Sequence, residues 1–122
     1  MGDIHENFSN LNLNFKSQNV RSLNISTLSL STQEKIFAIT KSNEDIIFLC
    51  DTRLNEDIQH SANNDVRKKL QMLGYDLVTN SKTSLRGVCI LLKRSLSYTL
   101  IDSYRDHDNN IILLKLCTVL VQ

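Results

Sequence analysis

The chain has 122 residues, 41% hydrophobic and 22% charged, with a net charge of +1. These values suit one globular domain with a core of its own. They give no overall basic field for nucleic acid, and no apolar run of about 18 residues for a membrane span.

Residues 1–13 are rich in Asn and Ser and read as a disordered lead-in to a domain over 14–122. The opening Met1-Gly2-Asp3-Ile4-His5-Glu6 is polar and acidic, unlike a secretory signal, and Glu6 breaks a myristoylation pattern. Leu13 to Val20 reads as a first strand, and Arg21 to Leu30 is polar and irregular. A helix is predicted from about Ser31 to Ser42-Asn43. Ser31 and Glu34 fit a capping box, and Ile36, Phe37, Ile39 and Thr40 form the apolar stripe. The run Ile46 to Cys50 reads as a strand buried on both faces, closed by Asp51.

Asn55 to Asn64 reads as a loop. A second helix is predicted from Asp65 to Leu73, capped by Asn64, facing inward with Val66, Leu70 and Leu73, and stopped by Gly74. Tyr75 to Thr79 and Val88 to Leu92 read as strands. Tyr98 to Ile101 and Ile111 to Leu116 form a hairpin around Asp106-His107-Asp108-Asn109-Asn110. The order β-α-β-α-β-β-β-β predicts an α/β (α+β) chain with one mixed sheet and helices on one face.

Cys50, Cys89 and Cys117 each sit in an apolar run and read as buried, reduced thiols. Proline is absent and glycine occurs only three times, a sparse supply for site-shaping loops. His5, His60 and His107 have no Cys or His at ligand spacing and read as surface residues. Arg67-Lys68-Lys69 reads as a solvated helix face.

The chemistry concentrates at two strand ends. Asn19 ends the first strand and Asp51 follows the second. If those strands are neighbours, an amide oxygen and a carboxylate meet where open α/β sheets hold ligands. Mg²⁺ uses one or two carboxylates and completes its shell with water and substrate phosphate. A phosphoacceptor receiver domain needs an acidic pair after its first strand, where this chain has Asn19-Val20-Arg21.

Three segments resemble a known family. Gln18-Asn19-Val20-Arg21-Ser22-Leu23-Asn24 is similar to the first motif of the endonuclease/exonuclease/phosphatase superfamily. Asp45 to Leu54 resembles its second motif, a strand ending in Q-E-T. Arg86-Gly87-Val88-Cys89-Ile90-Leu91-Leu92 resembles its G-V-A-I-L strand. The nearest likeness is to the apurinic-like endonucleases of non-LTR retrotransposons, over roughly residues 14–116.

The resemblance implies the first half of a four-layer α/β sandwich, truncated here, whose parent nicks DNA with Mg²⁺ or Mn²⁺. It implies Asn19 beside the metal and attacking water, Asp51 as metal ligand in place of the family's Glu, and Arg86 on DNA phosphate. The implied partners are DNA, the C-terminal half of the domain and a reverse transcriptase domain, in an intracellular and, if functional, nuclear setting; the lack of a long apolar run adds the expectation of no membrane. Asp51 is one methylene shorter than Glu, and Cys50 stands where the family has Gln. The later N-x-Y-x-P, G-D-F-N and S-D-H motifs do not occur in these 122 residues. The chain alone is therefore expected to be inactive, or to act only as a binding module. A half-domain leaves apolar surface open. With the apolar segment Ile111 to Val121, this predicts that the isolated chain self-associates. Size-exclusion chromatography with light scattering checks it, and a monodisperse monomer with a sharp melt would count against it.

Overall fold

The computed structural model describes residues 13–23, 30–54, 61–81, 86–108 and 110–118. The expected lead-in, except Leu13, lies outside them. So do most of the polar stretch after Arg21, the 55–60 part of the predicted loop, His5, His60 and Asn109. The elements are β1 (Phe15–Asn19), α1 (Leu30–Thr40), β2 (Ile46–Cys50), α2 (Ser61–Met72), β3 (Tyr75–Asn80), β4 (Val88–Lys93), a 3-10 turn (Arg94–Leu96), β5 (Tyr98–Arg105) and β6 (Ile112–Thr118). The class is α+β, in the predicted order.

Four strands form one mixed sheet in the order β1-β2-β4-β3. β1 runs parallel to β2, with α1 as the crossover, whereas β4 is antiparallel to both β2 and β3. Among the described residues β5 and β6 pair only with each other. The expectation of a single sheet is corrected here. β4 is interior, flanked by β2 and β3, and the last two strands form a separate ribbon.

Strand alternation gives the sheet two faces. Ile47, Leu49, Leu77, Cys89 and Leu91 share one core with Ile36 and Ile39 of α1 and Val66 and Leu70 of α2. Ile46, Ile90 and Leu92 pack on the other face against Tyr98, Ile112, Leu114 and Leu116 of the ribbon. The helices therefore lie on one face, as expected, and the ribbon on the other. No helix among the described residues is long and apolar enough to cross a membrane.

Several local expectations change. α1 starts at Leu30, so Ser31 sits inside its first turn rather than capping it. Its buried positions are Thr32, Ile36, Ile39 and Thr40. Phe37 lies about 100° round the helix from Ile36 and is 63% exposed. α2 starts at Ser61, within the predicted loop, so Asn64 is helical rather than a cap. The mild helix penalty of Ser and Asn is overridden by the context. Leu73 lies past the end of α2 and is exposed, whereas Gly74 stops the helix as expected, at φ +90°. Arg67 does not join a solvated face, because its guanidinium donates to the Leu77 carbonyl at 2.7 Å.

β2 is not buried on both faces. The ribbon covers Ile46 but leaves Phe48 39% exposed, stacked on Phe15 with ring centroids 6.2 Å apart. Cys50 and Cys117 are also exposed, Cys89 alone is buried, and none of the three forms a disulfide with a described residue.

The ribbon is tied to β3 by polar contacts. Asn80 Nδ2 donates to the carbonyls of Asp106 and Ile111 at 3.1 and 2.9 Å, and Arg105 Nε to that of Thr79 at 2.8 Å. Tyr98 donates its hydroxyl to Asp76 at 2.6 Å. Burial, then that bond to a carboxylate, pushes the Tyr98 phenol up to about 12.

Two positions that read as apolar core, Leu91 of β4 and Phe37 of α1, separate cleanly by stability. Leu91→Ala, at a fully buried position, should cost about 2–5 kcal/mol. Phe37→Ala should fall within about 0.5 kcal/mol of the parent. Urea denaturation of both variants checks the contrast.

Candidate functional site

The C-terminal ends of β1 and β2 meet the N-terminal end of β4. The register aligns Asn19 with Cys50, and Cys50 with Val88. The ladder continues past the strands. Ser22 and Leu23 donate to the carbonyls of Asp51 and Thr52, each at 2.7 Å. Thr52 and Arg53 donate to those of Gly87 and Arg86 at 3.1 and 2.6 Å. Three loops are thus joined side by side at one sheet edge.

That edge holds an unusual backbone. Arg21, Ser22, Asp51, Arg53 and Arg86 all have positive φ, between 49° and 80°. Such conformations cost L-residues roughly 1–3 kcal/mol each and gather where the surroundings over-determine them, often at functional sites. Gly87, at φ +109°, is required by space as well. A Cβ there would lie 2.1 Å from Ser81 Oγ and 2.7 Å from Thr52 Oγ1.

An open cleft of about 400 Å³ forms at this edge, lined by Asn19, Cys50, Asp51, Arg86, Gly87, Val88 and Asn110. All three residues singled out in the sequence, Asn19, Asp51 and Arg86, line it. Asn110 adds a wall from the turn of the ribbon. The turn is pinned by Asp106, whose Oδ1 accepts the backbone N–H groups of Asn110 and Ile111 at 3.0 and 2.9 Å. Burial pushes the Asp106 carboxyl up, but the N–H groups of Ile111, Asn110 and Asp108, with the Asn80 amide, outweigh it and hold the group below its usual value. Asp106 thus serves the turn, and exposed His107 follows it.

Two contacts were not foreseen from the sequence. Arg53 clamps Asp51 with two bonds, Nε to Oδ1 at 2.7 Å and a terminal guanidinium nitrogen to Oδ2 at 3.2 Å. Asn19 Oδ1 accepts the backbone N–H of Arg21 at 3.0 Å. The only available signal was spacing, since each partner lies two residues beyond its acceptor. The positive φ values that bring them together leave no trace in residue type.

Charge at the edge is unbalanced. Arg21, Arg53 and Arg86 are exposed, and the Lys35 ammonium reaches the Arg21 and Ser22 carbonyls at 3.1 and 3.0 Å. Among the described residues Asp51 is the one acid lining the cleft, and Arg53 already pairs with it. Among the described residues this edge is therefore locally positive, although the chain as a whole carries only +1.

Asn19 and Asp51 are hard oxygen donors on adjacent loops and fit the sparse protein shell of Mg²⁺ or Mn²⁺. Among the described residues no three His, Cys, Asp or Glu side chains cluster. Water and a phosphate would have to complete such a shell.

No family model matches the chain, and no curated protein matches it.

Gly87→Ala should destabilise the fold by about 2–4 kcal/mol, from overpacking against Ser81 and Thr52 plus the positive φ. Thermal and urea melts check the loss. An unchanged melt would mean that the three loops are not packed as described.

Proposed function

We propose that the cleft binds the phosphodiester backbone of DNA, and that the chain is the first half of a metal-dependent phosphodiesterase domain of the endonuclease/exonuclease/phosphatase type. The observation that carries this reading is the convergence of Asn19, Asp51 and Arg86 in one cleft at a positively charged sheet edge.

The roles follow from the chemistry of each group. Arg86 makes no ion pair with any described residue and offers a planar guanidinium to phosphate oxygens. Asp51 and Asn19 offer oxygens to Mg²⁺ or Mn²⁺. When bound, that cation would polarise the phosphoryl group and stabilise a leaving oxygen. Hydrolysis also needs a group to take the proton of the attacking water. No histidine lines the cleft among the described residues, and its one carboxylate is paired. The proton acceptor would come from the C-terminal half of such a domain, which in the retrotransposon setting precedes a reverse transcriptase.

The Asp51–Arg53 pair favours the non-cleaving form of this reading. With its acid neutralised, the cleft is an anion-binding surface first. We therefore assign the chain by itself a DNA-holding role without nicking.

Duplex DNA binding measured against salt tests this. The chain should bind at low salt and lose affinity steeply as salt rises. Arg86→Gln should weaken binding uniformly across sequences and reduce the log–log salt slope by about one. No binding at low salt would overturn the reading. Plasmid nicking with Mg²⁺ should remain at the blank level, and nicking that Asp51→Ala abolishes would overturn its non-cleaving part.

A further inference from the structure

The two oxygen donors of the cleft are held in the same way. Asn19 Oδ1 is taken by the N–H of Arg21, and both carboxylate oxygens of Asp51 by the guanidinium of Arg53. Both capping residues are left-handed, at φ 49° and 51°. Between Asp51 and Arg53, Thr52 is fully buried, and its N–H and that of Arg53 are fixed to the Gly87 and Arg86 carbonyls just before β4. The backbone therefore presents the two charged side chains together at the rim.

The two contacts differ in how readily they open. The Arg21 contact is made by backbone and moves only with the loop. The Arg53 contact is made by a long side chain that is 48% exposed, against 26% for Asp51. Ion pairs this exposed are weak, because water competes for both charges. A guanidinium fork also suits phosphate as well as it suits carboxylate.

We propose that Arg53 is a latch on the cation site. In the free protein it occupies Asp51 and keeps divalent cations off. A phosphodiester entering the cleft gives the guanidinium a second anionic partner. Arg53 moves from the carboxylate to the phosphate, and Asp51 opens to the cation. Phosphodiester and cation then bind with positive coupling, each raising the affinity of the other by the same factor. This rests on the phosphate-binding reading above and adds to it the order of events. Arg53 is a positioning residue in this scheme, acting through Asp51.

Mn²⁺ alone is the first probe, titrated into the full chain and followed by electron paramagnetic resonance of the free ion. Arg53→Gln should bind Mn²⁺ about two- to fivefold more tightly than the parent, the range expected when an exposed ion pair is removed. Arg86→Gln removes the same charge from the same cleft without freeing Asp51, so its gain should be smaller. Arg53→Lys keeps the charge but cannot grip both oxygens, and should fall between parent and Arg53→Gln. Asp51→Asn should abolish the binding.

Dimethyl phosphate is the second probe. It should raise Mn²⁺ affinity by a larger factor in the parent than in Arg53→Gln, where only its own coordination to the cation remains, and an equal gain in the two would overturn the latch. Equal affinity in parent and Arg53→Gln would overturn the latch, as would an equal gain from Arg86→Gln. Mn²⁺ binding to none of the variants would overturn it too. The DNA-binding measurement then decides the phosphate reading separately.

Discussion

Everything at the cleft follows from the register of β2. This strand is shared: it pairs in parallel with β1 and antiparallel with β4. Parity decides which side chains are buried, because a slip of one residue would exchange the two faces. Ile47 and Leu49 must face the helices, and Ile46 must face the ribbon. Once that is met, Asn19, Cys50 and Val88 fall in line across the sheet. The loops beyond them are drawn into the same ladder, which fixes the edge residues before any ligand is considered.

The edge is costly to build. Five non-glycine residues with positive φ sit within three adjoining loops, and Gly87 fills a space that admits no Cβ. The burial of β2 and β4 offsets this local strain. What results is a concentration of arginine at a strand end, in a chain whose net charge is nearly balanced. Local field and bulk charge are separate quantities, and phosphate responds to the local one within a Debye length of roughly 10 Å.

Much of this was legible in the sequence, for identifiable reasons. The apolar run Ile46–Cys50, the Gly74 stop and the Asp106–Asn110 turn each carry a strong local signal, and the element order follows from them. The convergence of Asn19 and Asp51 needed only that β1 and β2 be neighbours. Other features depended on tertiary context. Phe37 and Phe48 look like core residues by composition, but whether they are covered depends on how far the helix rotates and how far the ribbon reaches. The start of α2 was hidden because Ser61, Asn63 and Asn64 resemble loop residues. Arg53 could not be paired with Asp51 from sequence, since in a regular strand residues two apart stand roughly 7 Å from each other. Two left-handed residues shorten that separation.

The ribbon has a mechanical consequence. The floor of the cleft belongs to the four-stranded sheet, and its Asn110 wall to the turn between β5 and β6. Among the described residues no backbone ladder joins these two bodies. They are held by apolar contacts on one side of the ribbon and by the side chains of Asn80, Arg105 and Tyr98. Opening a strand ladder breaks many hydrogen bonds together, whereas tilting a half-exposed ribbon breaks few. The stiff directions of the molecule therefore lie in the sheet, and its compliant direction is the width of the cleft. A cleft with one rigid side and one yielding side can change its width without disturbing the floor.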